Sequence, residues 1–381
     1  MAELKHAGND ATFLGGQVPG KDAAGTQPTV SVLMVTYNHE PYIADAIESV
    51  LMQRTSFPIE LVIGEDCSTD GTRSIVDSYA RRHPERIRAL LRKRNLGCVG
   101  PERNLIHTLD ACRGAFVAWL DGDDFWTSPD KLQRQVDYLQ AHHDCVQCFH
   151  AVETWVEDAG RIVRKWMTQP TRSYARLQDH LRGSFILPCS VMFRRGLFDQ
   201  FPDWYYTLWT DDWPLFMLNA QYGRTGYLDE AMAVYRIHAT GWWQRLSRID
   251  RQLKSLEVYK AMNAHFAGRY AGIVRAGEAD CHVALALAYE RSGDLAQAGN
   301  HAWRAFGMRP RHGWRSAGQL ARVVLHAHTP TLYDATRSAY RMCVGGRRQA
   351  RSHPGSKPVH QEDLATRPTR SNASASAGAN P

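Results

Sequence analysis

No stretch of this 381-residue chain approaches the ~20 apolar residues that a bilayer-spanning helix needs. The N-terminus, with Glu3, Lys5, Asn9 and Asp10, has no secretory apolar core. These absences predict a soluble, cytoplasmic protein. Phosphate cradles are lacking too. The first strand-like run leads into Thr36, Tyr37, Asn38, His39 and Glu40, where a dinucleotide fold would carry GxGxxG and a P-loop GxxxxGK[ST]. The Gly- and Arg-rich loop of a sugar-nucleotide pyrophosphorylase is missing as well. Cysteine offers no framework. The eight are scattered, and the single CxxC, Cys145 and Cys148, lies in a strand-like segment with no second pair to complete a zinc site, so core packing is expected of it. Nor is there a basic surface for nucleic acid. Of the net charge of +7, residues 345–381 supply six Lys/Arg against two Asp/Glu, which leaves +3 for the rest of the chain. That tail is rich in Ser, Pro, Gly, Ala and Arg and is expected to be disordered. A weak electrostatic hold on the inner face of a membrane is the alternative to a plain solvated tail.

What is present is an alternation of strands and helices. After a polar, Gly-rich leader over residues 1–28, residues 30–35 read as a strand. Residues 40–52 show helical spacing through Ile43, Ala46, Ile47, Val50 and Leu51. A second strand at 59–63, a polar loop at 64–71, a helix at 72–83 ended by Pro84, a short strand at 87–91 and a helix at 101–113 follow. The pattern predicts a doubly wound α/β first half with a parallel sheet and right-handed crossovers.

Two places carry chemistry. The apolar run 115–120 ends in Asp121, Gly122, Asp123 and Asp124, three carboxylates where a strand leaves the sheet. Ligands of open α/β sheets gather at such carboxyl ends, so a cation site is one reading and an Asp-rich turn the other. The loop at 36–40 offers a hydroxyl, an aromatic face, an amide and a carboxylate, a set suited to a base and ribose. Tyr37 can stack and Asn38 or Glu40 can hydrogen-bond, unless the latter two only cap the next helix.

Four motifs in order, Val35-Thr36-Tyr37-Asn38, Glu65-Asp66-Cys67-Ser68-Thr69-Asp70-Gly71-Thr72, Asn95-Leu96-Gly97 and Leu120-Asp121-Gly122-Asp123-Asp124, resemble those of a family 2 glycosyltransferase. The resemblance runs from about residue 29 to 243. It implies a GT-A fold, a Rossmann-like nucleotide-diphospho-sugar transferase domain, with a C-terminal α-helical extension. It also implies that Thr36, Tyr37 and Glu40 line the nucleotide pocket, that Asp66 binds the base with support from Ser68, and that Asn95, Gly97, Arg103 and Asn104 shape the donor site. Cys67 departs from the family, which often has Gly there. In the DxD motif Asp121 would reach the ribose, and Asp123 would coordinate Mg²⁺ or Mn²⁺ on the donor diphosphate; Asp124 is left without a role.

Asp212, in Thr210-Asp211-Asp212-Trp213-Pro214-Leu215, resembles the family's catalytic base, with Asp211 in reserve. A double N-cap of a helix over 213–222 is the bland alternative. In Val234-Tyr235-Arg236-Ile237-His238 the resemblance gives Arg236 a place on the diphosphate and His238 one on the metal or a phosphate. Trp242 and Trp243 are candidates for stacking on a sugar, with core packing the equal alternative, and Phe201, Trp204, Tyr205, Tyr206 and Trp209 are candidates for acceptor binding.

From about residue 249 helix formers dominate, and Leu285, Tyr289, Gly293, Asp294, Ala298, Ala305 and Pro310 fall on the spacing of one tetratricopeptide-like helix pair. One repeat makes a buttress or a docking point for a protein partner or second subunit, not a solenoid. Domains at 29–248 and 249–343 follow, with the basic tail from 344. The function expected is inverting, metal-dependent transfer of a hexosyl or N-acetylhexosaminyl group from a nucleotide-sugar, UDP-linked by preference, to a saccharide or lipid-linked acceptor. A catalytically silent nucleotide-sugar-binding protein and a helical-repeat scaffold are the alternatives from other classes.

Overall fold

The computed structural model describes residues 27–157, 161–166, 173–308 and 314–329. The 344–381 tail, the helix expected to continue to Cys343, Pro310 and nearly all of the 1–28 leader lie outside them. The account below concerns the unit ending at His328.

One sheet organises this unit. Strand β1 (Val30–Thr36) pairs in parallel with β2 (Ile59–Glu65) on one side and β4 (Phe116–Trp119) on the other, and β2 pairs in parallel with β3 (Ile87–Leu91). The first two are buried almost end to end, which explains their unbroken apolar runs: a central parallel strand is covered on both faces. Past β4 the sheet turns mixed. The three-residue β9 (Met192–Arg194) lies antiparallel between β4 and β6 (Cys145–Val156), and β10 (Arg224–Ile237) runs parallel to β6 with the short β5 (Phe125–Trp126) antiparallel on its far edge. The edge strands β7 (Arg161–Trp166) and β8 (Tyr174–Ala175) pair with β6 and β10. The parallel expectation thus holds for β1 to β4 and gives way to a mixed sheet beyond, where β5, β7, β8 and β9 run antiparallel to the strands they pair with.

The first three helices are shorter than the periodicity predicts, α1 being Ile43–Leu51, α2 Thr72–Arg82 and α3 Asn104–Ala111; α4 is Lys131–Ala141. Pro41 and Pro101 lie in the turns that precede α1 and α3. Ile43, Ala46, Ile47 and Val50 of α1, Val76 of α2 and Leu132, Val136 and Leu139 of α4 cover one face of the sheet. Leu105 and Ile106 of α3 join Trp213, Leu215 and Phe216 of α6 (Asp212–Asn219) on the other; the single-turn α5 (Leu177–His180) precedes α6.

After α7 (Trp242–Arg245), α8 (Arg248–His265) and α9 (Ala271–Ser292) put Leu256, Tyr259, Met262, Val274 and Leu285 into this second cluster, so both helices share the core of the sheet. Helix α9 ends at Gly293, whose φ of 87° is the left-handed cap that favours glycine, and α10 (Leu295–Met308) follows at once. Ala298, Ala302 and Ala305 of α10, with Leu320 and Val323 of α11 (Trp314–His328), form a third, smaller cluster with α9. Among the described residues no helix is long and apolar enough to cross a membrane. Cys145 and Cys148 are buried in the sheet core, and burial raises their thiols to about 11 and about 12, where they are inert packing groups.

The connections fix where a ligand belongs. From β1 the chain moves outward through β2 to β3 and then returns to β4 on the other side of β1. The carboxyl ends of β1 and β4 therefore flank a topological switch point, the crevice where open α/β sheets bind their ligands.

Candidate active site

Each strand end at this crevice carries a sequence motif. The turn after β4 is pinned to β1 by Leu120 N donating to Leu33 O and Gly122 N to Val35 O, both at 3.0 Å. A Cβ on Gly122 would come within 2.6 Å of Thr36 Oγ1 and 3.0 Å of His39 Nδ1, so the glycine lets the acidic turn seat against the loop after β1. Asp121 accepts a 2.8 Å hydrogen bond from Trp119 Nε1. Asp123 Oδ2 lies 3.1 Å from His238 Nε2 and 3.6 Å from His39 Nε2. Asp124 is buried and takes the Arg236 backbone N–H at 2.8 Å, tying the turn to the end of β10.

One carboxylate oxygen from each of Asp121, Asp123 and Asp124 falls within 4.8 Å of the others. Burial, then the charge of Asp123, pushes Asp121 up to about 8, and the same causes raise Asp124 well above the usual carboxylate range. Asp123 is held low: burial opposes ionisation, but His39 and His238 outweigh it.

The loops after β1 and β2 are laced to each other. Asn38 N donates to Ser68 Oγ at 3.0 Å, Thr69 N to Asn38 Oδ1 at 2.8 Å, and Gly71 N to Glu40 Oε2 at 2.8 Å. Asn38 and Glu40 are thus spent on the turn leading into α2, and neither caps α1, which has no side-chain cap. Asp66 receives Leu96 N at 2.8 Å and Gly97 N at 3.2 Å, and Asn95 Nδ2 donates to Asp66 O at 3.1 Å, which folds the loop at 95–97 against the crevice. Burial raises the Asp66 carboxyl despite these bonds. Tyr37 is 42% exposed, and Thr36 Oγ1 is buried with no hydrogen-bond partner. Cys67 has φ 61°. That left-handed backbone favours glycine, and the cost to cysteine is about 1–2 kcal/mol.

Three expected donor contacts are occupied within the protein. Arg103, fully buried, donates to the carbonyls of Cys98, Tyr205 and Leu208 at 3.1, 2.8 and 3.2 Å, and its Nη1 sits 2.7 Å from Asp211 Oδ1 as an ion pair without hydrogen-bond alignment. Asn104 is buried, donating to Gly64 O at 2.7 Å and accepting from Arg92 Nε at 3.1 Å. Arg236 bonds Asp45 at 2.5 Å and Asp123 O at 3.0 Å and lies between the rings of Tyr42 and Phe125. These side chains hold the walls of the crevice, because desolvated guanidinium and amide groups need fixed partners.

Across the crevice α6 begins at Asp212, one residue before the expected start at 213, and closes at Asn219, three residues short of the expected end at 222. Thr210 Oγ1 donates to Asp212 Oδ1 at 2.6 Å. Burial raises Asp212, and burial pushes Asp211 up to about 7 against the pull of Arg103. Asp121 feels the charges of Asp212 and Asp211, which places the two acidic groups within electrostatic reach of each other. No side-chain cap bond forms at the start of α6, so the double N-cap alternative does not describe this pair.

Residues 31–201 match the profile of glycosyl transferase family 2. This region is a family 2 glycosyltransferase domain. An uncharacterised protein of Mycobacterium tuberculosis is 38% identical over 218 residues, 56% of this chain and 60% of its own length. An uncharacterised glycosyltransferase of Nostoc sp. is 30% identical over 219 residues, 55% of this chain and 65% of its own. The poly(ribitol-phosphate) beta-N-acetylglucosaminyltransferase TarS of Staphylococcus aureus is 34% identical over 119 residues, 30% of this chain and 20% of its own length. The crystal structure of TarS 1-349 with UDP-GlcNAc superposes with a TM-score of 0.53 at 21% identity, over 84% of this chain and 92% of that one. The chain thus spans less than two thirds of these sequence relatives. The structural likeness establishes the GT-A fold with a C-terminal helical region.

The crevice gathers Thr36, Tyr37, Asp66, Ser68, Asn95, Gly97, Asp121, Asp123 and His238, and around it the side chains of Asn38, Glu40, Arg103, Asn104 and Arg236 are hydrogen-bonded to neighbouring protein groups. Two neighbours of the acidic turn were not singled out by sequence reasoning. His39 stands inside the loop already identified, and its position facing Asp123 emerges only when β1 and β4 are paired. Trp119 is two residues before Asp121, so the period of two in a strand already places both on one side.

Proposed function

We propose that this chain is an inverting, metal-dependent glycosyltransferase. It moves a hexosyl or N-acetylhexosaminyl group from a UDP-linked donor to a hydroxyl of a saccharide or lipid-linked acceptor, in cell-surface polysaccharide biosynthesis. One observation carries the reading: an acidic turn at the β1/β4 switch point lies within electrostatic reach of a second carboxylate, Asp212, on the first turn of α6. The name of TarS, a poly(ribitol-phosphate) beta-N-acetylglucosaminyltransferase, supports sugar transfer to a hydroxyl-bearing polymer. Residues 29–248 would be the catalytic domain and the helices that follow its extension.

The acidic turn fits a divalent cation. Three carboxylates crowded within 4.8 Å, two of them pushed toward protonation, form a hard oxygen donor set whose mutual repulsion a cation relieves. Asp123 and His238 would hold Mg²⁺ or Mn²⁺, which when bound supplies neutralisation of the charge developing on the departing nucleoside diphosphate. Thr36, Tyr37 and Glu40 would line the nucleotide pocket, Asp66 with Ser68 would receive the base and Asp121 the ribose, and Asn95, Gly97, Arg103 and Asn104 would shape the donor site.

Asp212 then takes the proton of the acceptor hydroxyl. The freed oxygen attacks the anomeric carbon from the side opposite the diphosphate, and the bond to the leaving phosphate oxygen breaks. A single displacement inverts the anomeric centre. Burial keeps the Asp212 carboxylate basic enough for this step, and Thr210 fixes its rotamer. Asp211, paired with Arg103, is less free to act.

The test is a panel of UDP-, GDP- and dTDP-sugars incubated with the full chain and Mn²⁺, with and without EDTA. Slow hydrolysis of one donor, lost in EDTA, is expected. Failure to bind or hydrolyse any of them would remove the enzyme reading, and an undiminished rate in EDTA would remove the metal.

A further inference from the structure

Beside Asp212 lies a feature that donor chemistry does not use. Trp209, three residues before Asp212, and Trp242, four residues after His238, stack with ring centroids 6.1 Å apart and planes 10° from parallel. Both are open, 41% and 50% exposed, and Trp243 beside them is 40% exposed. Two chain segments that flank the crevice therefore meet in a solvent-facing indole pair. An exposed aromatic cluster of this kind marks a binding surface, and a flat indole face packs against the C–H face of a sugar ring.

The cluster is edged with cations. Lys254 Nζ sits 3.7 Å from the centre of the Trp209 ring, and the Arg251 guanidinium 5.5 Å from that of Trp243. Arg245, Arg248, Arg251 and Lys254 recur every third residue from α7 into α8. Among the described residues none of the four forms an ion pair with a carboxylate. The acidic neighbour Asp250 is engaged by Ser247 at 2.7 Å. Lys254 and Asp211 both act on the Cys98 thiol, which puts the cationic edge and the acidic crevice on adjoining ground.

We infer that the Trp209–Trp242 stack with Lys254 and Arg251 is an acceptor subsite for an anionic glycan, one bearing phosphate or carboxylate groups. The inference rests on the glycosyltransferase reading. The negative charge of the crevice, which Asp123 above all retains, would repel such an acceptor, and the cations at the crevice mouth supply the opposing field. A neutral glycan would need the indoles alone and would leave without a role a cationic edge that, among the described residues, has no carboxylate partner; Arg251 there donates only to the Gln244 carbonyl, at 3.2 Å. An anionic membrane surface would also attract Trp and Arg side chains, but the stack adjoins the base candidate, where an acceptor hydroxyl must arrive.

The experiment uses the full chain and intrinsic tryptophan fluorescence. Titrants are a galacturonate pentamer, a glycerol-phosphate pentamer, a neutral maltopentaose and vesicles containing phosphatidylglycerol. At least one anionic pentamer should bind about tenfold tighter than maltopentaose at low salt, and the galacturonate and phosphate arms tell which anion is preferred. Lys254→Gln should weaken that binding about fivefold and shrink the advantage over maltopentaose, with recovery in Lys254→Arg; Arg248→Gln, at an exposed position, should act in the same direction.

Equal binding of neutral and anionic pentamers, no binding of either anion, or a Lys254→Gln loss confined to vesicles would overturn the inference. Calorimetry of UDP with Mn²⁺ on the same protein keeps the two claims apart. Its failure would count against the glycosyltransferase reading whatever the pentamers do.

Discussion

Replacing Arg103 by methionine tests whether the wall of the crevice is built as described. The side chain is fully buried and serves three carbonyls, those of Cys98, Tyr205 and Leu208, besides the ion pair with Asp211. Methionine fills most of the volume and meets none of these needs. Removing one partner of a buried ion pair costs roughly 3–5 kcal/mol, because the other charge stays behind unpaired. Each abandoned carbonyl adds about 1 kcal/mol if no other donor reaches it. The terms share one side chain and are not additive, so a loss of at least about 3 kcal/mol is expected, or a Tm lower by about 6 °C or more. Urea and thermal denaturation of the full chain read it directly.

A second substitution separates charge from packing. In the Arg103→Met background, Asp211→Asn removes the stranded carboxylate and should restore about 1–2 kcal/mol, whereas in the wild type it should destabilise. A loss below about 1 kcal/mol in Arg103→Met, or an Asp211→Asn cost that is the same in both backgrounds, would refute the reasoning.

Asp212→Asn should lower glycosyl transfer by about 10²-fold or more while UDP affinity stays within about twofold, checked by turnover and calorimetry; full activity would reassign the base. Acid should weaken the fold through two buried histidines. His150 and His180 are lowered by burial to about 3, against about 6.5 when unfolded, so the stability from their neutral forms is complete above pH 6.5 and is lost as pH falls toward 3. Each contributes a loss of about 2 kcal/mol by pH 5. Asp121 and Asp211, whose pKa values are raised, act in the opposite direction, so the histidine contribution is read as a difference: His180→Gln should show a fall in urea midpoint between pH 7 and 5 that is smaller than the wild type's, and an identical fall would contradict it.

Much of the sheet is legible because burial on both faces writes itself into composition. The runs in β1, β2 and β4 are apolar without alternation, and only a covered parallel strand tolerates that. Strand β9 is not legible: three residues, Met192, Phe193 and Arg194, carry too little pattern to reveal that they pair antiparallel with two neighbours. Likewise, α8 and α9 read as an appendage because their apolar residues are sparse, yet Leu256, Met262 and Leu285 fall on the side that meets the sheet.

At the site, motifs named the residues but not their partners. The motifs name Glu40 and Arg103; three dimensions add the groups each one holds, the Gly71 N–H for Glu40 and the carbonyls of Cys98, Tyr205 and Leu208 for Arg103. Which polar side chains near a nucleotide pocket are engaged in this way depends on the backbone groups left needing partners. The strain at Cys67 is not written in the sequence; it comes from a positive φ that only the folded loop shows.

The most direct measurement is calorimetric titration of UDP into the full chain with Mn²⁺, compared with Asp123→Ala. The carboxylate of Asp123 is the only one of the three in the acidic turn that faces both His39 and His238, so its loss should abolish the metal-dependent part of binding. The account predicts UDP binding in Mn²⁺ that EDTA removes in the wild type and that Asp123→Ala does not recover. Unchanged UDP affinity in Asp123→Ala with Mn²⁺, or wild-type binding indifferent to EDTA, would contradict it.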